Sequence, residues 1–216
     1  MTLIDITPAI SASTAVFPGD VPYRRSIAMD FQKGDHLLLS SIQTTLHVGA
    51  HADAPNHYHR DGIGIDRRDP KRYVGACQVI GVSLGPDERI YPYHVTDQDI
   101  EITEKRVLFR TDSFPDPDNW NSDFNSLSPE LVIWLAERGV VLVGIDTPSI
   151  DPETSQALES HQMVYQKDLA VLEGIVLGEV APGRYILLAQ PLKLRDADAG
   201  PVRALLLPFD TDLTRM

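Results

Sequence analysis

The chain has 216 residues, 43% hydrophobic and 23% charged, which suits one soluble globular domain able to bury a substantial core. A formal net charge of −12 argues against nucleic acid or an anionic membrane as partner, and the lone Cys77 excludes an intrachain disulfide and suits a reducing cytoplasm. No apolar run reaches the ~18–20 residues of a spanning helix, and the segment from Met1 to Asp5 lacks the basic start of a signal peptide.

In chain order, Leu3 to Ile6 alternates as a short strand that Pro8 closes. Ser13 to Phe17 reads as a strand entering a Pro18-Gly19 turn. His36 to Leu46, rich in Leu, Ile and Thr, reads as a strand feeding directly into the histidines that follow it. Asp61 to Gly64 is loop, and Cys77 to Val82 and Arg106 to Arg110 are short apolar strands. Ser128 caps a helix with Pro129 at its first position, and Gly139 ends it. Val140 to Ile145 is apolar throughout, as a strand covered on both faces would be. A helix after Pro152 carries His161, and Tyr185 to Ala189 and Val202 to Leu207 supply two late strands. Strands outnumber helices, so the expected class is α/β, more sheet than helix.

The chemistry concentrates in Thr45–His59, which holds four of the seven histidines together with Asp53. Imidazole and carboxylate are the usual ligands of a borderline-soft divalent metal. His47, His51, Asp53 and His57 differ by even numbers and would share one face of an extended chain, while Gly49 and Pro55 oppose a helix. On a straight strand His47 and His51 would sit roughly 13 Å apart. Sharing one ion therefore requires a bend, and Gly49 permits it. A three-ligand set leaves a position open for water, and His57 is the spare imidazole suited to moving protons. His36, His59 and His94 carry no assignment, and Asp146 and Asp151 are read as structural.

His47-Val48-Gly49-Ala50-His51-Ala52-Asp53-Ala54-Pro55-Asn56-His57 resembles the H-x-G-x-H-x-D-x-P-x-H signature of the metal-dependent cyclase family. Val16 to Asp20 and Gly144 to Pro152 resemble further motifs of its bacterial kynurenine formamidase (arylformamidase) branch, so the resemblance spans nearly the whole chain. It implies a single metal-dependent hydrolase domain over residues 1–216, with a mixed, barrel-like β-sheet core and flanking helices. It also implies two zinc ions per subunit, with manganese or iron able to use the same ligands. His47, His51 and Asp53 would bind the first, with Asp53 bridging to the second. His161 would bind the second, and Glu173 would bridge both. One straight helix would hold His161 and Glu173 ~18 Å apart, so a helix end or turn must lie between them.

The implied reaction is hydrolysis of N-formyl-L-kynurenine to L-kynurenine and formate, a step of tryptophan degradation. A metal-activated hydroxide would attack, with His57 as acid–base and Phe17 packing on the substrate ring. Phe17 departs from the branch, which has tryptophan there; an aromatic face remains but the indole N–H is lost. The implied partner is a small aryl formamide, and the implied assembly is a cytoplasmic homodimer. The alternatives are an isatin-hydrolase-like amidase using the same ligands, a non-catalytic metal-binding protein, and a serine hydrolase. The last rests on Gly81-Val82-Ser83-Leu84-Gly85, which matches G-x-S-x-G but lacks a helical pattern after Ser83.

Overall fold

The computed structural model describes residues 3–212. Thirteen strands occur in chain order: β1 (Ile4–Asp5), β2 (Arg24–Met29), β3 (Leu39–Gln43), β4 (His51–Asp53), β5 (Val74–Gly81), β6 (Arg89–Ile90), β7 (Arg106–Arg110), β8 (Ser126–Leu127), β9 (Leu142–Ile145), β10 (Ala170–Leu172), β11 (Gly183–Leu188), β12 (Ala199–Pro201) and β13 (Leu205–Pro208). Four α-helices accompany them: α1 (Pro55–Tyr58), α2 (Tyr93–Thr96), α3 (Pro129–Ala136) and α4 (Glu159–Gln166).

A seven-stranded sheet runs β1-β13-β11-β5-β7-β9-β10. Its β1-to-β5 half is antiparallel, and β5, β7, β9 and β10 are parallel to one another. The sheet curls. Beyond β10, Glu173 and His51 exchange backbone hydrogen bonds, β4 pairs with β12, and the chain then continues into β13 on the far side. This is the mixed, barrel-like core that the family resemblance implies.

Side-chain alternation divides the interior into two cores. Leu108 and Leu142 face one, inside the curl, with Ala50, Ala52 and Ala54. Val107, Phe109, Val143 and Ile145 face the other, against Leu131 and Leu135 of α3 and Val164 of α4. Burial on both faces is why Val140 to Ile145 shows no polar alternation. Helix α3 begins as the sequence indicates, with the Ser128 hydroxyl accepting from the Leu131 amide and Pro129 at the first turn.

Several expectations fail in instructive ways. Ser13 to Phe17 is not a strand. The Ser11 and Thr14 hydroxyls bond the local backbone amides instead, and of the strand-like links only that from the Ala15 amide to the Pro117 carbonyl is made. The strand expected over His36 to Leu46 shrinks to β3 and stops before the histidines. Only His51–Asp53 of the motif is extended, because Pro55 does not oppose a helix here. It occupies the first position of α1, where its missing N–H costs nothing. The strand expected over Val202 to Leu207 begins only at Leu205. After β5 the chain makes loop rather than the helix that a serine elbow needs. Ser83 shares a separate depression with His94, whose Nδ1 is taken by the Tyr91 amide, 3.0 Å away. Among the described residues no helix is long and apolar enough to cross a membrane.

Candidate metal centre

The strand period of β4 sets the site. Ala50, Ala52 and Ala54 turn into the core, so His51 and Asp53 turn the other way, each 1% exposed. Glu173 directly follows β10, and the His51–Glu173 backbone pair, 3.0 and 3.1 Å, fixes it beside β4. Between α4, which carries His161, and Glu173 the chain leaves the helix and enters β10.

Gly49, at φ +57°, bends the chain so that the His47 and His51 rings lie 5.0 Å apart. Gly174, at φ +64°, crosses the same bend. A Cβ there would sit 2.2 Å from the Gly49 carbonyl oxygen.

The donor atoms converge in two groups that share both carboxylates. His51 Nε2 lies 3.4 Å from Asp53 Oδ1 and 3.2 Å from Glu173 Oε2. His161 Nε2 lies 3.3 Å from Asp53 Oδ2 and 3.4 Å from Glu173 Oε1. His47 Nδ1 lies 3.0 Å from Asp53 Oδ1, the oxygen that also faces His51. Two donors bound at ~2.0–2.2 Å to one tetrahedral ion stand roughly 3.3–3.6 Å apart, the spacing of His51 from Asp53 and of His161 from both carboxylates, and longer than a usual hydrogen bond. Consistently, His51 Nε2, both Asp53 oxygens and His161 Nε2 are buried without a hydrogen-bond partner. A buried polar atom left unpaired is costly, and a cation at these positions would satisfy them. The residues fit a metal.

Outer contacts fix which ring nitrogen faces inward. His51 Nδ1 is 2.9 Å from the Gly49 carbonyl oxygen and His161 Nδ1 is 2.8 Å from Asp151 Oδ2, leaving each Nε2 for the centre. Burial alone would depress these imidazoles. The nearby carboxylates of Asp53 and Glu173 nevertheless push His51 up to about 10, and together with Asp151, which meets its Nδ1, they hold His161 well above its ordinary value. The same negative field favours a cation.

His57, on α1, is about one-third exposed, with its ring centroid 4.2 Å from that of His47. It too offers a ring nitrogen within 4.8 Å of donor atoms of His47 and Asp53. Burial lowers its pKa below the ordinary histidine value, with the Asp53 charge only partly opposing this.

The centre floors a cavity of about 340 Å³. Phe17, 39% exposed, lines it edge-to-face with Trp120 at 5.3 Å between ring centroids.

Three residues of the site were not singled out from sequence. Trp120 is isolated in a loop and gives no signal there. Asp198 Oδ2 lies 3.0 Å from His47 Nε2 and 3.8 Å from His57 Nδ1, yet it too comes from an unmarked loop. Asp151, read only as structural, also holds His161. Asp146 takes the Thr111 hydroxyl and the Thr111 and Asp112 amides, a structural role. His59 stacks on Tyr165 at 3.7 Å, away from the centre.

Comparison with known proteins agrees with this geometry. The profile of the Cyclase family matches residues 4–152. Kynurenine formamidase of Bordetella petrii is 43% identical over 205 residues, covering 94% of this chain and 97% of that protein. Kynurenine formamidase of Delftia acidovorans is 44% identical over 204 residues, covering 94% and 96%. Among solved structures, a potential metal-dependent hydrolase with cyclase activity superposes with a TM-score of 0.81 at 26% identity, covering 95% of this chain and 96% of that one. Isatin hydrolase A from Labrenzia aggregata shares the fold, with a TM-score of 0.83 at 22% identity over 97% and 94% of the two chains. With more than half of its length matched by the family profile and nearly all of it by these relatives, the chain belongs to the cyclase family.

Proposed function

We propose that the protein hydrolyses N-formyl-L-kynurenine to L-kynurenine and formate, using two zinc ions per subunit. The observation that carries the metal count is the division of the carboxylates. Asp53 and Glu173 each turn one oxygen toward His51 and the other toward His161, so each can bridge two ions. His47, His51 and Asp53 would hold the first ion, His161 the second, and Asp53 and Glu173 would serve both. The formamidase activity of relatives above 40% identity supports the choice of substrate.

When bound, the ions supply Lewis acidity toward the formyl oxygen and lower the pKa of water. The chain's own residues do the rest. His57, whose pKa its surroundings lower, accepts the proton of the attacking water and returns it to the departing aryl nitrogen. Phe17, braced by Trp120, packs on the aryl ring. The buried walls around Asp53 and Glu173 keep bulk water from the two carboxylates.

The molecule acts in this reading as a cytoplasmic homodimer. The free, buried Cys77 fits a reducing compartment. The dimer is supported by the β2–β3 hairpin, in which ten of the eleven strand residues are exposed, including Ile27, Leu39 and Ile42. A two-stranded hairpin is marginal alone, so a second copy of this chain is the cover it fits.

The test is turnover of N-formyl-L-kynurenine and, in parallel, of isatin, with metal content measured on the same preparation. Activity on the formamide should vanish on chelation and return with zinc. Full activity after exhaustive metal removal would refute the mechanism, and preference for isatin would replace the substrate.

A further inference from the structure

We propose that Asp20 recognises the ammonium group at the amino-acid end of the substrate, which makes it a specificity-determining residue of this site. The inference rests on the formamidase reading and deepens it.

Every carboxylate lining the cavity can be accounted for except one. No lysine or arginine lines it, and its acids are Asp20, Asp53, Asp146, Glu173 and Asp198. Asp53 and Glu173 face the metal centre. Asp146 is filled by hydrogen bonds from Thr111 and Asp112. Asp198 sits against His47 and His57. Asp20 is the remaining carboxylate, with no cation paired to it among the described residues.

Its placement is fixed rather than incidental. The Asp20 amide donates to the Phe17 carbonyl at 2.9 Å across a turn whose Gly19 has φ +97°. The Thr45 hydroxyl donates to Asp20 Oδ2 at 3.0 Å, which leaves Oδ1 without a hydrogen bond among the described residues. One turn therefore presents an aromatic face and a carboxylate together at the cavity wall. An aryl ring on Phe17 that carries a short aminoacyl chain ortho to its formamide would bring a cation toward that free oxygen. With no lysine or arginine in the wall and its histidines turned to the metal centre, the cationic end of a zwitterionic substrate is the one that Asp20 can pair, and an anionic end is left toward solvent.

Asp20→Asn keeps an acceptor for Thr45 and removes only the charge. The experiment compares wild type and variant on N-formyl-L-kynurenine and on its analogue lacking the amino group. It also measures binding of L-kynurenine to the zinc-loaded protein by titration. The variant should lose roughly fivefold of the preference, in kcat/KM, for the ammonium-bearing substrate, and bind L-kynurenine roughly fivefold more weakly, the scale of a partly exposed ion pair. An unchanged preference and unchanged product binding would overturn the assignment. So would equal losses on both substrates, which would mean that Asp20 acts on the shape of the turn. Failure of the formamidase reading itself would look different, with wild type turning over neither substrate.

Discussion

At the scale of the residue, the site depends on which nitrogen of each imidazole faces inward. His161 is aimed by Asp151, itself held by Arg89 at 2.9 Å and by the Ser160 and His161 amides. Asp151→Asn should weaken metal binding about 10–100-fold in a chelator competition while the protein stays folded. Unchanged affinity would remove Asp151 from that role. His57 gives a pH prediction with a definite sign. Burial favours the neutral ring, and a nearby cation would push the same way, so the base is lost only below the ordinary histidine value of 6.5. The acid limb of kcat/KM should lie below that pH and disappear with the bulk of turnover in His57→Ala, which should still load metal. An acid limb above pH 7 contradicts the assignment. His47, His51, Asp53 and His57 were legible from spacing alone because a dense run of imidazoles is chemically unusual. His161 and Glu173 came from the family resemblance. Asp198 and Trp120 were not legible, since a lone acid or aromatic in a loop looks the same whether it faces a cavity or solvent.

At the scale of the element, the strands and helices that hold the centre were easier to read than the segments that shape its rim. The even spacing of the motif suggested one extended face, and only His51–Asp53 obeys it. Gly49 turns His47 back, and Pro55 starts the helical turn that lifts His57. Periodicity reports burial against a sheet, and a four-residue helix has no period to detect; the bend at Gly49 was legible instead from the ~13 Å that a straight strand would put between His47 and His51. The crossing of Gly49 and Gly174 yields the next prediction. Gly174→Ala puts a methyl into the Gly49 carbonyl and asks alanine to adopt positive φ. Thermal unfolding should show a loss of about 2–4 kcal/mol, with metal content reduced. A variant with wild-type stability and metal would mean that the two loops can separate freely.

At the scale of the whole molecule, the sheet and the hairpin make opposite demands. The α/β class was legible because the central strands are buried on both faces, whereas the curl came only from the family resemblance and its continuation through β4 and β12 was not legible, since those strands have three residues each. The hairpin leaves Ile42 65% exposed, and Arg24 and Arg25 lie on its β2 strand in a chain of net charge −12. Sedimentation should find wild type dimeric at micromolar concentration and Ile42→Asp shifted toward monomer with its melting behaviour preserved. A monomeric wild type, or a variant that stays dimeric, would exclude the hairpin as the contact. The backbone pair between His51 and Glu173 also has a bearing on synthesis. The residues around Asp53 and those from His161 to Glu173 lie more than a hundred residues apart along the chain, and each set needs the other strand in place before the carboxylates can be shared. A ribosome that has released only the first half of the polypeptide presents loose histidines and no finished site. Metal capture should therefore wait until β10 has docked beside β4, and a chain stalled before Glu173 should emerge without its ions.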